Sequence, residues 1–260
     1  MNSLPIAAVF IFIIPIILIA GLIKWIGKRS DFYENIMLSS GSVLLSILFF
    51  LGLYSWFKGH SAFDALWNSF RQAFMSGPVN AGQMLSFYHE MGLFQNFTTA
   101  EQLVEFLIGQ IKVTVPAVIL LFSLIYGVLL FLIIRLIIKK MGFPTPAVPE
   151  FEDWTLPRGM AAGLIILLLV SLLGNSLAIA NFEVIQLTIA ALVSFLFTVL
   201  GISVLWFFLK VGQVPSILRW LIAVLACLFV GLALPFLGVL DQVIHIRLRY
   251  KNKFRMMNGG

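Results

Sequence analysis

Residues 142–158 read GFPTPAVPEFEDWTLPR, and how this stretch is taken decides how the rest of the chain is read. Pro144, Pro146, Pro149 and Pro157 each lack an amide donor and bias the residue before them away from helix. With Glu150, Glu152 and Asp153 among them, the segment is predicted to be a loop outside any hydrocarbon. On both sides of it the chain runs for long distances with almost no charge, so this segment is the pivot between two apolar blocks.

Composition sets the class. Hydrophobic residues make up 61% of the chain, charged residues 11%, and the mean hydropathy is +1.05, whereas soluble domains carry roughly 25% charged residues. The reading is an all-α polytopic membrane helix bundle. The net charge of +6 gathers at the ends of apolar runs, which points to topology and lipid headgroups rather than nucleic acid. Cys227, the single cysteine, lies inside an apolar run and excludes an internal disulfide or a cysteine-based zinc cluster.

Six transmembrane helices are expected, over about 4–26, 36–57, 113–138, 158–180, 184–209 and 217–240, within a single integral membrane domain 1–260. Pro15 should kink the first, which is too long for a signal-peptide core and is expected to be retained. Lys24, Trp25, Lys28 and Arg29 mark an interface after it. In the second, Ser39, Ser40, Gly41, Ser42 and Ser46 permit close helix approach. A helical excursion, 58–112, separates spans two and three, and a basic tail, 241–260, closes the chain.

Within the excursion, Phe63, Leu66, Trp67, Phe70 and Phe74 recur at helical spacing with Asp64, Asn68 and Arg71 opposite, predicting an amphipathic helix over 61–75 that stops at Gly77-Pro78. Two placements suit it: on the bilayer surface, or as a lid in which Phe63, Trp67 and Phe70 cover a cavity. Thr98-Thr99-Ala100-Glu101 matches a capping box with Thr98 as cap, opening one helix that continues through Pro116 to Lys140. Gly159-x-x-x-Gly163 has the spacing of a close crossing in span four, Asn175, Ser176 and Asn181 suggest a turn after it, and Ala190, Ser194 and Thr198 share a face of span five. Six crossings leave the basic residues nearly evenly divided, nine against eight, so charge does not orient the chain.

The chemistry of known active sites is sparse. His60, His89 and His245 are scattered without metal-ligand spacing, and Gly27-Lys28 lacks the spacing of a phosphate loop. No catalytic, cofactor or metal residues are assigned, an enzyme is not expected, and no ionisable residue sits in mid-span to relay protons or ions. Asp241 and Arg247 stand out, as a helix-end ion pair or as a docking contact for a partner.

Phe151, Trp154, Leu156 and Pro157 before span four, Gly201-Ile202-Ser203 in span five, and Leu237-Gly238-x-x-Asp241 with Arg247 after span six resemble the YybS-like family of predicted bacterial multi-pass membrane proteins. That family is distantly similar to the substrate-binding components of energy-coupling-factor vitamin transporters. The resemblance covers the chain from the pivot onward. It implies a bacterial inner (plasma) membrane protein, set in the lipid bilayer, that binds or helps transport a small molecule without its own energy source, beside other membrane subunits or an ATPase module. The alternative is a structural or assembly factor with no ligand.

Overall fold

In a bilayer every backbone N–H and C=O must be satisfied within the protein, and long apolar runs meet that demand by forming helices. The computed structural model describes residues 9–26, 31–76, 80–174 and 182–251; these are mainly helical, with the pivot as the longest connection, and no strand occurs among them. A π-helical turn, Val9–Ile13, leads into α1 (Ile14–Ile26). Then follow α2 (Phe32–Lys58), α3 (Ala62–Ser76), α4 (Ala81–Glu90), α5 (Ala100–Lys140), α6 (Arg158–Leu173), α7 (Phe182–Val211), α8 (Ser216–Phe229) and α9 (Leu234–Ile244). Three of these, α2, α5 and α7, are long and apolar enough to cross a membrane, and a fourth crossing is counted if the bent pair α8–α9 is one span. The segments 9–23 and 159–173 are apolar but shorter.

The contacts of the chain fall into two compact units. The first comprises Met1–Trp25 and Ile36–Gly142. Its axis is α5, whose 41 residues extend ~60 Å at 1.5 Å per residue, about twice a hydrocarbon core. α3 and α4 pack on the N-terminal third of α5, where Trp67, Ala81, Val104 and Ile108 form a buried cluster flanked by Phe63, Phe70 and Phe74. On the outer side Arg71 pairs with Glu105 at 2.6 Å. Farther along α5, Gly127 faces the backbone of Ser40 so closely that a methyl there would overlap it. Pro15 is fully buried and stands just after the π-helical turn, whose wider ring accommodates a residue that neither donates nor fits the α register.

The second unit comprises Ile26–Asn35 and Phe143–Gly260. α6 packs on α7 through Ala161, Val193, Phe197 and Leu200, and the pivot contributes Leu156 to the same cluster. α7 and α9 touch backbone to backbone: a methyl at Gly201 would overlap the carbonyl of Leu234, and one at Gly238 would overlap the carbonyl of Phe197. Without side chains at these two positions the helices reach a separation that larger residues forbid.

Several sequence expectations shift. The cap of α5 is Thr99, with Gln102 closing the capping box. The doubled threonine offered two registers one residue apart. Gln102 wins because its Oε1 accepts from the amides of Thr98 and Thr99 and from the Thr98 hydroxyl, more donors than one capping partner usually meets. Among the described residues nothing approaches within 4 Å of a methyl added at Gly159 or Gly163, so that motif makes no close crossing there. On α7 the buried face is Val193, Phe197, Leu200 and Val204, and Ser194 is exposed. The last apolar run is not straight: α8 and α9 meet at a bend of 110°, with Pro235 in the first turn of α9. The Gly77-Pro78 stop, the cations Lys28 and Arg29, the turn at Asn175, Ser176 and Asn181, and tail residues 252–260 lie outside the described residues.

The two glycine classes should separate cleanly in thermal melts. Gly201→Ala and Gly238→Ala are expected to lose about 1–3 kcal/mol, the usual cost of overpacking. Gly159→Ala is expected to be neutral or to gain up to ~1 kcal/mol from helix propensity.

Candidate functional site

A proline-rich loop leaves many carbonyls without amide partners of its own, and these must find donors elsewhere. In the pivot the only regular structure is a 3₁₀ turn, Phe151–Asp153. Its aromatic rings fasten it: Phe151 packs edge-on against Trp154 and against Trp206 of α7, with centroids 5.2 and 6.0 Å apart. Trp154 meets Phe32 at 5.2 Å, and the Thr155 amide donates to the Tyr33 hydroxyl at 2.8 Å.

The donor for the loop's carbonyls is Arg247. α9 ends at His245 in the left-handed conformation (φ 56°, ψ 50°), and this reversal turns the chain back on itself before helix resumes over 246–251. Arg247 is thereby returned to Asp241. The Asp241 carboxylate accepts from the Arg247 amide at 3.1 Å, from Nε at 2.9 Å and from Nη2 at 2.6 Å. The rest of the guanidinium is taken by the pivot: Nη2 donates to the Trp154 carbonyl at 2.9 Å, and Nη1 donates to the Glu152 carbonyl. Nη1 also donates to Ser203 Oγ at 2.9 Å, while Ser203 Oγ itself donates to the Phe151 carbonyl at 2.6 Å.

Both side chains of the pair are shielded, 6% exposed for Arg247 and 4% for Asp241. A buried pair of this kind is tolerated only where its remaining hydrogen-bond capacity is filled, as it is here. Of the two roles open to Asp241 and Arg247, an ion pair or a docking contact, the structure shows the ion pair, with the rest of the guanidinium on the loop. Around them lie exposed pairs. Lys210 reaches Glu150 at 2.8 Å and Glu152 at 2.6 Å, and Lys251 reaches Asp153 at 2.6 Å. The Lys210 hydrogen bond, and secondarily its charge, holds the Glu150 carboxyl below its ordinary value. That contribution is present above the unfolded-state pKa and is lost as pH falls through the lower folded one.

Beside the buried pair is a cleft of about 350 Å³, walled by Glu152, Asp153 and Thr155 of the pivot on one side and by Gln242, His245 and Lys251 on the other. Gln242 and His245 are half-buried. Among the described residues, neither side chain has a hydrogen-bond partner. A second, more open groove of about 460 Å³ lies along Asp31, Tyr33, Val148, Pro149 and Pro157, with Thr155 and Leu156 common to both. Among the described residues no three His, Cys, Asp or Glu side chains are grouped to hold a metal ion.

The aromatic residues expected as a lid belong to the first unit. Phe63, Trp67 and Phe70 form a row with successive centroids 6.2 Å apart. Trp67 is 8% exposed against α4 and α5, with Lys112 Nζ 5.7 Å from the centre of its ring. Sequence reasoning singled out Asp241 and Arg247, met His245 only as one of three scattered histidines, and passed over Gln242, which no motif marks. Ser203 appeared only as the end of Gly201-Ile202-Ser203, and its spacing of three and four residues from the large apolar Leu200 and Phe207, all three buried, is the signal that it lies on the packed face of α7.

Residues 2–242 match the family model described as "Predicted membrane protein (DUF2232)". The chain belongs to that family. It is accordingly a helical integral membrane protein, and the match takes in both units, including the pivot, Ser203 and Asp241. No curated protein and no solved structure matches it.

Removing one partner of the buried pair strands the other, so Arg247→Met and Asp241→Leu should each lose about 3–5 kcal/mol. The double substitution should lose clearly less than the sum of the two. Thermal melts of the three purified variants in one detergent check this, and additive losses would mean that the two groups do not act as a pair.

Proposed function

We propose that the protein is a membrane-embedded binding component for a small polar molecule, acting without catalysis and drawing on other proteins for energy. The observation that carries the reading is the cleft beside the Asp241–Arg247 pair. Its volume of about 350 Å³ reaches the range of small-molecule sites, which begins near 300 Å³. Its walls carry both signs of charge, and two side chains able both to donate and to accept, Gln242 and His245, line it without partners. Such a lining suits a zwitterionic or multiply hydrogen-bonding ligand rather than an apolar one.

The resemblance of the pivot and C-terminal motifs to the YybS-like family, and that family's distant similarity to the substrate-binding components of energy-coupling-factor transporters, support the same reading. Six apolar segments then form the embedded body in a bacterial inner membrane, the bent α8–α9 pair being the last. Other membrane subunits or an ATPase module supply the energy, because the chain has no nucleotide-binding motif. The amphipathic α3 rests its polar face at the bilayer surface, and the ligand site belongs to the cleft rather than to a lid of Phe63, Trp67 and Phe70.

A second reading is favoured by the saturation of Arg247. A guanidinium with every donor committed inside the chain is what a purely structural staple needs, as in an assembly factor with no ligand.

Purification under native conditions, followed by mass spectrometry of co-purifying small molecules, separates the two readings. Binding in the cleft predicts a polar molecule retained by the wild-type protein. Gln242→Leu combined with His245→Gly should lose it at least tenfold, while the melting temperature stays within about 2 °C because neither side chain supports the fold and glycine keeps the left-handed conformation of residue 245. A wild-type protein with an empty cleft, or a ligand held equally by the variant, would favour the assembly factor.

A further inference from the structure

Both ends of the α8–α9 pair are fastened to the same part of α7. At the entry, Arg219 lies over the Trp206 ring at 5.2 Å, and Trp220 packs edge-on against that ring with centroids 4.9 Å apart. At the exit, Arg247 donates to Ser203 Oγ at 2.9 Å. Just beyond, Tyr250 meets Phe207 at 6.0 Å, and Lys251 Nζ stands 5.4 Å from the centre of the same ring. Ser203, Trp206 and Phe207 lie within little more than one helical turn, so the chain leaves α7 and returns to it at one level.

The lengths agree. α8 has 14 residues and α9 has 11, giving ~21 Å and ~16 Å, each short of a hydrocarbon core of about 30 Å. The bend of 110° turns the second helix back instead of extending the first. Residues 230–233 at the bend read VGLA, and Leu232 is 91% exposed. A turn so apolar and so exposed belongs in lipid. Its backbone is held for that setting, with the amides of Val230, Ala233 and Leu237 donating to the carbonyls of Ala226, Val230 and Ala233.

We propose that α8–α9 is a re-entrant hairpin that enters and leaves the bilayer on the face of the pivot, so that the basic tail lies on that face and not across the membrane from it. The chain then crosses five times, through α2, α5 and α7 and through the charge-free runs 4–23 and 159–182 that contain most of α1 and α6 and are each at least 20 residues long in sequence. The distribution of charge, which six crossings leave undecided, becomes one-sided. All of the 17 basic residues except Lys58, Arg71 and Lys112 fall at the pivot face. By the bias of lysine and arginine toward cytoplasmic segments, that face is cytoplasmic and meets a leaflet rich in anionic lipid headgroups.

Single cysteines placed in the full-length Cys227→Ala protein test this with a membrane-impermeant maleimide, applied to right-side-out and to inverted membrane vesicles. Thr145→Cys, Gln213→Cys and Asn258→Cys should label from one face and Leu93→Cys from the other, while Leu232→Cys in the hairpin turn should label from neither. Labelling of Asn258→Cys from the face of Leu93→Cys, or of Leu232→Cys from either face, would overturn the hairpin. Should a cysteine variant fail to accumulate, reporter fusions after residues 213 and 255 read the same question. They should report the same side, and opposite sides would overturn the proposal.

Discussion

The guanidinium of Arg247, shut away from water with its donors committed to Asp241, Ser203 and the pivot carbonyls, is the interaction on which the second unit turns. An unpaired cation at that depth is costly, so the groups around it hold their places or the arrangement fails together. The loop gains equally from the arrangement. Four prolines deprive it of amides, and one arginine and one serine hydroxyl satisfy three of its consecutive or near-consecutive carbonyls, those of Phe151, Glu152 and Trp154. What reads in sequence as an irregular acidic linker is therefore an element docked on α7 by polar contacts, with the outer charges Glu150, Glu152 and Asp153 paired to Lys210 and Lys251.

The ion pair and the helix crossing form one device. Gly201 stands two residues before Ser203, and Gly238 stands three before Asp241, so the contact that brings α7 and α9 backbone to backbone also brings the hydroxyl and the carboxylate to the arginine. The left-handed His245 completes it by reversing the chain within reach of Asp241. A side chain at either glycine would push the helices apart and lengthen every polar contact above them. The two short motifs Gly201-Ile202-Ser203 and Leu237-Gly238-x-x-Asp241 are thus the two halves of one joint.

Much of the helical layout was legible from the residues, because hydrophobic runs and proline act locally. The pivot is non-helical, α5 is one long helix up to Lys140, and a helix begins at Ala62 where the aromatic spacing placed one. What was not legible depends on geometry between distant elements. Thr98 and Thr99 offer equivalent caps until the side chain of Gln102 chooses. Gly159 and Gly163 match a packing motif and meet no facing backbone among the described residues, whereas Gly201 and Gly238 match no such spacing and each meet one. Whether Asp241 and Arg247 form an ion pair or a docking contact stayed open, since nothing local announces that His245 takes a left-handed turn. The extent of the bend between α8 and α9 was hidden for a related reason: Pro235 marks a break in the run 217–240, which has the length and apolarity of a span, but how far the chain turns there is not encoded in composition. The cleft is assembled from the pivot and from residues some ninety positions later, so Gln242 carries no mark in the sequence.

Amide hydrogen exchange across the pivot, in the wild-type protein and in Arg247→Met, tests most directly whether Arg247 holds the pivot on α7. The amides of Asp153, Trp154 and Thr155 are each hydrogen-bonded, to the carbonyls of Glu150 and Phe151 and to the Tyr33 hydroxyl, and should exchange slowly in the wild type. Loss of the guanidinium should release these three amides by at least tenfold while the amides of α5, in the other unit, keep their protection. Pivot amides that remain equally protected in an Arg247→Met protein with intact α5 would contradict the account.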